Sequence, residues 1–329
     1  MRNHHVLVLA ACLMAGCSEA PAPTEPVRTG PFLGEELPGT QPRLFAEGVV
    51  STDLNQRDTA WTPEGDQLFY SLWVRNRGVI VTVRLTDGQW SAPEIAPFSG
   101  QYSDLEPFVT ADGSALYFIS KRPLSPGGEE KDWDIWVVRR GAGGWGEPEN
   151  LGPPINTDRN EYYPSLTLDG TLYFTGAEWE DSIGGEDLYR ASWVDGAFTD
   201  PENLGPAVNS AGAEYNAMIS PDEDYIIFGS AREGDLGGGD MDISFRSDDG
   251  SWSDAANMGP PVNTPTLDFC PALSPDGRFL FFTSRRVAPE APVPNSYEEI
   301  VASVSGPLNG SMNLYWITAD VIEQLRPAH

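Results

Sequence analysis

Carboxylates recur along the chain at a nearly constant spacing, which would let them act together. Each stands eight residues before a tight turn, and a glutamine fills the remaining position. The five positions are Gln56, Asp104, Glu161, Glu214 and Asp268. Carboxylates that meet in one place can bind a hard cation such as Ca²⁺ or perform acid/base chemistry on a glycosidic bond. The four acidic residues are therefore the first candidates for a ligand or cation site.

The same ring of carboxylates also has a structural interpretation. A residue that occurs in every repeat can bridge neighbouring repeats, whereas an active site breaks repeat symmetry. We therefore expect a structural role and keep ion or ligand binding and catalysis as alternatives. A recurring arginine and a recurring aspartate are likewise expected to form a buried pair within each repeat. They are Arg122, Arg232 and Arg285 with Asp134, Asp187 and Asp242.

Residues that differ between the repeats are the better candidates for binding. Charged and aromatic side chains occupy turn-rich segments at corresponding places in repeats one to three. They are Arg75, Arg77, Trp133, Glu178 and Trp179. A tryptophan in such a segment could stack on a sugar ring or anchor a protein partner. Packing within the domain is the alternative for both tryptophans.

The elements that carry these residues are strands. The phrase EYYPSLTLDG at Glu161–Gly170 recurs five times, with starts separated by 48, 57, 53 and 54 residues. An aromatic-rich run follows each copy, and then come a third strand, a tight turn and a fourth strand. Four strands per repeat at this period predict an all-β, five-bladed β-propeller of four-stranded antiparallel blades. Because the first strand of each blade lines the channel, the carboxylates would form a ring at one channel mouth.

The two ends of the repeat array predict how the ring closes. A segment resembling a fourth strand appears at 42–50 before any first strand, while the last repeat lacks a fourth strand. We therefore expect the N-terminal segment to complete blade five and remove the free sheet edge. The residues after this blade, 319–325, have the apolar spacing of a short helix. A long insert between Arg285 and Asn313 is the largest departure from the repeat.

The repeat phrase resembles a known family. Pro271–Ser284 (PALSPDGRFLFFTS) is similar to the WD40-like PD40 repeat of TolB-type β-propellers, and the recurring arginine and aspartate belong to the same pattern. The resemblance covers about residues 43–326. It implies a propeller, and it implies function only weakly because such propellers serve as interaction scaffolds, as side domains of enzymes and occasionally as catalysts. The sequence contains no G-x-S-x-G nucleophile elbow.

Composition excludes several classes of function. The formal net charge is −29 with only two lysines, which argues against nucleic-acid binding through a basic surface. Histidine occurs three times, at His4, His5 and His329, so histidine-based triads and zinc sites are not expected. Cysteine also occurs three times, and Cys270 is expected to be a buried side chain rather than a nucleophile.

The N-terminus predicts export. A basic residue precedes the apolar run 6–15, which has the length of a signal-peptide core and ends in Ala15-Gly16-Cys17. Small residues before a cysteine resemble a bacterial lipobox, with Met14 standing where leucine is usual. We therefore predict a signal peptide at 1–16, lipid attachment at Cys17, a flexible Pro- and Glu-rich tether at 17–41 and a propeller at 42–326.

These features predict a lipoprotein of the bacterial cell envelope that faces the periplasm or the cell surface. Its propeller would act as a non-catalytic scaffold for a protein or glycan partner, as a monomeric domain without a cofactor. Two alternatives stay open. One is a carbohydrate-active enzyme that uses carboxylates at the channel mouth, and the other is stabilisation by Ca²⁺ bound to the carboxylate ring.

Overall fold

A computed structural model describes residues 28–287 and 293–327. The predicted signal peptide and lipid-attachment residue Cys17 lie outside the described residues, as do Cys12 and the three histidines. Within the described ranges the chain forms a ring of five antiparallel sheets, which confirms the predicted five-bladed propeller.

The described chain begins against blade one. Phe32 and Leu33, in a 3₁₀ turn at Pro31–Gly34, are buried in the core between blades one and five. The indole N–H of Trp90 donates to the carbonyl of Gly30 at 2.7 Å. Phe32 and Leu33 thus belong to the core, whereas Leu37 is 49% exposed, and the flexible tether at 17–41 stays a prediction.

Each blade has a long first, second and third strand and a short outer strand. After β1 (Arg43–Leu44), blade one contains β2 (Gln56–Trp61), β3 (Gln67–Val74), β4 (Arg77–Thr86), β5 (Gln89–Trp90) and β6 (Glu94–Ile95). Blade two contains β7 (Asp104–Val109), β8 (Ala115–Ser120), β9 (Asp134–Gly141), β10 (Gly144–Trp145) and β11 (Glu149–Asn150). Strands β5 and β10 extend the third strand of their blade as a hairpin, and β6 and β11 are the outer strands.

The remaining blades repeat this plan. Blade three contains β12 (Glu161–Leu166), β13 (Leu172–Ala177), β14 (Glu186–Ala191), the hairpin β15 (Trp193–Val194) and β16 (Ala197–Phe198), and β17 (Glu202–Asn203). Blade four contains β18 (Glu214–Ile219), β19 (Tyr225–Ser230), β20 (Asp240–Phe245) and β21 (Ala256–Asn257). Blade five contains β22 (Asp268–Leu273), β23 (Phe279–Ser284) and β24 (Asn313–Thr318).

The N-terminal strand closes the ring as predicted. Strand β1 pairs with β24 in antiparallel register, with Arg43 opposite Trp316 and Leu44 opposite Tyr315. Phe45, directly after β1, is fully buried and packs against Trp316 with ring centroids 5.2 Å apart. Main-chain pairing and aromatic packing therefore join the two ends of the array, and blade five gains its missing outer strand.

Two helices lie in and after blade five. Helix α1 (Tyr297–Val304) belongs to the insert between β23 and β24 and was not predicted. Helix α2 (Asp320–Glu323) follows β24 and buries Val321 and Ile322 against the core, which confirms the predicted C-terminal helix. Among the described residues, neither helix has the length and apolar character needed to cross a bilayer.

A β-bulge interrupts the first strand of every blade. The pairing register shifts after the second residue of β2, β7, β12, β18 and β22. The third residue of each strand has φ between +46° and +59°, although none is glycine. Such a left-handed conformation costs roughly 1–3 kcal/mol in a non-glycine residue, and strained residues of this kind cluster at functional sites, so the five aligned cases mark a candidate site.

Candidate functional site

The repeated polar residues at the start of each first strand are all buried. Gln56 is 1% exposed and the four carboxylates are fully inaccessible. Each bonds to a hydroxyl in the loop that brings the chain in from the preceding blade. The hydroxyls that donate to Asp104, Glu161, Glu214 and Asp268 belong to Ser99, Thr157, Ser210 and Thr264, at 2.9, 2.6, 2.5 and 2.6 Å. The ring thus fastens each incoming loop rather than facing an open mouth, and binding of a ligand or cation by it stays a prediction.

Arginines complete this arrangement in three blades. Arg122 contacts Asp104 at 2.7 Å and Arg232 contacts Glu214 at 3.0 Å. Arg122 also donates to the carbonyl of Phe98, in the incoming loop, at 3.0 Å. The guanidinium therefore ties the carboxylate to the preceding blade.

The predicted pairing of these arginines needs two corrections. Their main partner is the carboxylate of the first strand, and only Arg232 also approaches the third-strand aspartate, with 3.3 Å to Asp242. Asp134 pairs with Lys131 instead, and Asp187 accepts backbone N–H groups from Ile183 and Gly184. In blade five the partner of Asp268 is Arg286 at 3.3 Å, not Arg285, because the arginine side chain must stand two residues after the last serine of the second strand.

Blade three lacks the arginine. Glu178 stands at the corresponding position, because Glu161 pairs with Gly176 as Asp104 pairs with Ser120. Trp179, the next residue, packs on Tyr189 with ring centroids 4.5 Å apart, so packing accounts for this predicted binding residue. Glu161 is left without a cationic partner among the described residues. Burial raises the pKa of Glu161 to about 7, although the hydroxyl and backbone N–H of Thr157 lower it in part. The repeat symmetry therefore breaks at blade three.

A cavity of about 700 Å³ opens at this break, on the face that carries the loops between second and third strands. We call it the blade-three pocket. Its lining is polar and mainly acidic, with Asp132, Asp158, Arg159, Asn160, Tyr162, Glu178 and Glu186. Burial raises the pKa of Glu186, and its carboxylate accepts no hydrogen bond from any described residue. Carboxylates, an amide and a tyrosine ring around one cavity suit a polyhydroxylated ligand, whose hydroxyls donate to carboxylates while its apolar ring face packs on tyrosine.

The predicted binding-face residues divide between this pocket and other places. Glu178 lines the pocket and lies 3.8 Å from Arg159. Trp133 is adjacent, because its backbone N–H donates to the side chain of Asn160 at 3.0 Å. Arg75 and Arg77 lie at the turn between β3 and β4 in blade one, where Arg77 donates to the carbonyl of Gln101. The structure therefore does not bring the five predicted residues into one site.

A second group of polar residues meets on the axis of the ring. We call it the axial cluster, and it comprises Arg57, Asp58, Glu106, Tyr163, Asn216 and Cys270. Five of these six are the left-handed residues of the β-bulges, one from each blade. Sequence reasoning singled out only Cys270 among them, as a buried side chain, and missed the cluster. The available signal was that the residue two places after the repeated carboxylate differs in every blade.

Glu106 is the hub of the axial cluster. Its Oε1 accepts from Arg57 Nη2 at 2.6 Å and from Asn216 Nδ2 at 3.0 Å, and its Oε2 accepts the backbone N–H of Tyr163 at 2.7 Å. Arg57 also bonds Asp58 through Nε at 2.9 Å and approaches the sulfur of Cys270 at 3.4 Å. These contacts link all five blades across the channel.

Burial dominates the electrostatics of the axial cluster. It raises the pKa of Glu106 to about 7, against the lowering effect of Arg57. It also raises the pKa of the Cys270 thiol well above its usual value, so the thiol stays protonated and is a poor nucleophile. Below the cluster, towards the opposite face, a cavity of about 180 Å³ is lined mostly by prolines and apolar side chains. The axial cluster thus closes the channel with polar groups that bond mainly to one another.

Metal binding finds no direct support in these side chains. Across residues 28–287 and 293–327, no three or more His, Cys, Asp or Glu residues are grouped as a metal site would require. The alternative of Ca²⁺ bound to the carboxylate ring stays a prediction.

Comparison with known proteins finds similar solved structures but no matching family. No protein-family model matches it, and no curated protein matches it. It is similar to the solved structure of a putative TolB from Agrobacterium tumefaciens, with 21% identity over 70% of each chain and a TM-score of 0.46. The TolB structure from Acinetobacter baumannii is 15% identical, with 81% of this chain and 57% of that one covered and a TM-score of 0.47. An alpha-L-arabinofuranosidase from Lactobacillus brevis is 13% identical, with 83% and 92% covered and a TM-score of 0.47. The chain is a five-bladed β-propeller, and its PD40 resemblance stays a prediction.

Proposed function

We propose that this protein is a lipid-anchored scaffold of the bacterial cell envelope that binds a glycan through the blade-three pocket and performs no chemistry of its own. The observation that carries the proposal is the pocket itself. It lies in blade three, which has the repeated carboxylate without the arginine, and it presents Tyr162 together with the carboxylates of Glu178 and Glu186. In this chain the repeated carboxylates are occupied by hydrogen bonds to the incoming loops, so the blade that departs from the repeat is the better candidate for a ligand site.

The axial cluster supports the non-catalytic part of the proposal. A glycosidase needs two carboxyl groups that face the scissile bond from opposite sides. Asp58 and Glu106, the two carboxyls on the axis, are 1% and 4% exposed and share one guanidinium. A sugar would have to displace Arg57 to reach them.

Glycan binding is tested with the purified protein on a glycan array, followed by titration calorimetry with the best oligosaccharide. We expect Tyr162→Ala and Glu186→Gln each to weaken binding at least tenfold, because one removes the stacking ring and the other a hydrogen-bond acceptor. Tyr215→Ala is the matched control, since Tyr215 holds the same strand position in blade four and does not line the pocket. An array without bound glycan, or equal losses from both tyrosine variants, contradicts the proposal.

The proposed lipid anchoring in the cell envelope is inferred from the N-terminal sequence and is tested separately. Cells expressing the protein are labelled with an alkyne-bearing fatty acid, and the protein is isolated and probed for label. We expect labelling that Cys17→Ser abolishes and Cys12→Ser leaves unchanged. An unlabelled protein, or label that survives Cys17→Ser, contradicts lipid attachment at Cys17.

A second candidate function is a glycosidase centred on the axial cluster. The raised pKa of Glu106, next to the carboxylate of Asp58, is the observation that favours it, because a general acid needs a proton near neutral pH. Hydrolysis of a panel of chromogenic glycosides tests it. Turnover that Glu106→Gln abolishes would establish the enzyme and refute the non-catalytic scaffold.

A further inference from the structure

Helix α1 stands exposed on the face that carries the blade-three pocket. None of its eight residues is buried. Its apolar side chains nevertheless form one stripe, with Tyr297, Ile300, Val301 and Val304 at the spacing i, i+3, i+4 and i+7. Tyr297 is 76% and Ile300 50% exposed. A stripe of this kind normally faces a core, and here it faces solvent.

Helix α1 has an N-terminal cap, but none of its side chains is buried against the rest of the described protein. The Ser296 hydroxyl accepts the backbone N–H of Glu299 at 3.2 Å, and the Glu299 carboxylate accepts the N–H of Asn295 at 2.6 Å. This N-terminal cap resembles a capping box. Helices shorter than about 12 residues are marginal in water, and most helical stability in proteins comes from packing an apolar face. Packing of the apolar face of α1 against a partner surface would therefore stabilise the helix.

The charge of the helix indicates the chemistry of that partner. Its only charged residues are Glu298 and Glu299, and the chain as a whole has a formal charge of −29. Anionic lipid surfaces would repel it, since such surfaces attract basic segments. A second copy fits poorly, because two equally acidic chains repel each other and a helix about 12 Å long cannot supply the roughly 800 Å² per partner of a stable interface.

We infer that the apolar stripe of α1 is a docking helix for a protein partner whose apolar groove is flanked by basic residues. The helix enters the groove with Ile300 and Val304 as anchors, in the helix-in-groove mode. Glu298 lies at the rim, where it meets the basic flank. The inference goes beyond glycan binding, and it rests on the proposed exposure of this face in the envelope.

The test places a photo-crosslinking amino acid at position 300 or, as the matched control on the polar side, at position 303 of the full-length protein in living cells. We expect a protein adduct from 300 and little from 303. The adduct is identified by mass spectrometry, and the partner is purified for affinity measurement. Ile300→Asp should then raise Kd at least tenfold, Ser303→Ala should leave it unchanged, and raising the salt concentration should weaken binding.

Several outcomes overturn the inference. The crosslinking outcomes are the absence of a protein adduct, equal adducts from both positions, and an adduct only with lipid or with another copy of this chain. The affinity outcome is a purified partner whose Kd does not change with Ile300→Asp. The variants lie on an exposed helix, so unchanged thermal unfolding will show that they fold. Glycan binding is measured on the same variants and should not change, which keeps failure of the docking helix distinct from failure of the blade-three pocket.

Discussion

Two neighbouring positions in each first strand have opposite characters. The first position, with its four carboxylates and Gln56, is buried in every blade, and each of its carboxylates accepts a hydrogen bond from a hydroxyl of the incoming loop. The position two residues later carries a different residue in each blade, and these five meet on the axis around Glu106. The comparison teaches that repetition in this fold marks the bonds that assemble it, whereas variation marks the places where side chains from all blades meet.

The largest effect is expected at the repeated position. Asp104→Asn removes the charge that Arg122 contacts, with both side chains less than a tenth exposed. Leaving a buried charge unpaired costs about 3–5 kcal/mol. Denaturant unfolding measures the loss, and Asp112→Asn, in an exposed turn, serves as the control. A loss below about 1 kcal/mol would mean that this ion pair does not hold the incoming loop.

Arg57→Met should be the next most damaging change and tests the axial cluster. It leaves Asp58 and Glu106 buried without their guanidinium, at a cost of about 3 kcal/mol. Because Glu106 can take up a proton near neutral pH, the loss should be smaller at pH 5 than at pH 8. A loss that is equal at both pH values would show that Glu106 does not titrate in this range.

Glu161→Gln should have the opposite sign. The folded-state pKa of Glu161, about 7, lies above its unfolded value, so the folded protein binds an extra proton between about pH 4.5 and 7. Wild-type stability should therefore fall as pH rises through this window. The amide removes that dependence and should stabilise the protein by roughly 1–2 kcal/mol at pH 8. The unfolding free energies of wild type and Glu161→Gln, measured from pH 5 to 8, test this prediction. A variant that is less stable than wild type at pH 8 contradicts it.

The smallest effect is expected at Arg285. Its side chain is exposed and forms no ion pair with a described residue, whereas Arg286 contacts Asp268 and the carbonyl of Pro261. Arg285→Ala should change stability by less than about 0.5 kcal/mol, as surface substitutions usually do. Arg286→Ala should destabilise the protein clearly. Reversal of this order in parallel thermal unfolding would refute the register of the ion pair.

The candidate sites were predictable only in part. The ring of carboxylates could be predicted because each stands at a fixed distance from a turn. The spacing alone does not show whether the carboxylates are exposed at the channel entrance or buried between blades. The arginine of blade five was misassigned because Arg285 and Arg286 are adjacent, although Ser120 and Ser230 both stand two residues before their arginines. Helix α1 was missed because its insert was treated as a loop.

The chain's own pattern determined the number of blades, the order of strands and the closure by β1, because these follow from a repeated alternation of strands and turns. Hydrogen bonding between adjacent strands needs only local register, and the repeat supplies it five times. The axial cluster and the blade-three pocket were decided by tertiary structure alone. Residues 57, 106 and 216 become neighbours only when the ring closes and the bulges turn their side chains to the axis, and no spacing along the chain records that convergence.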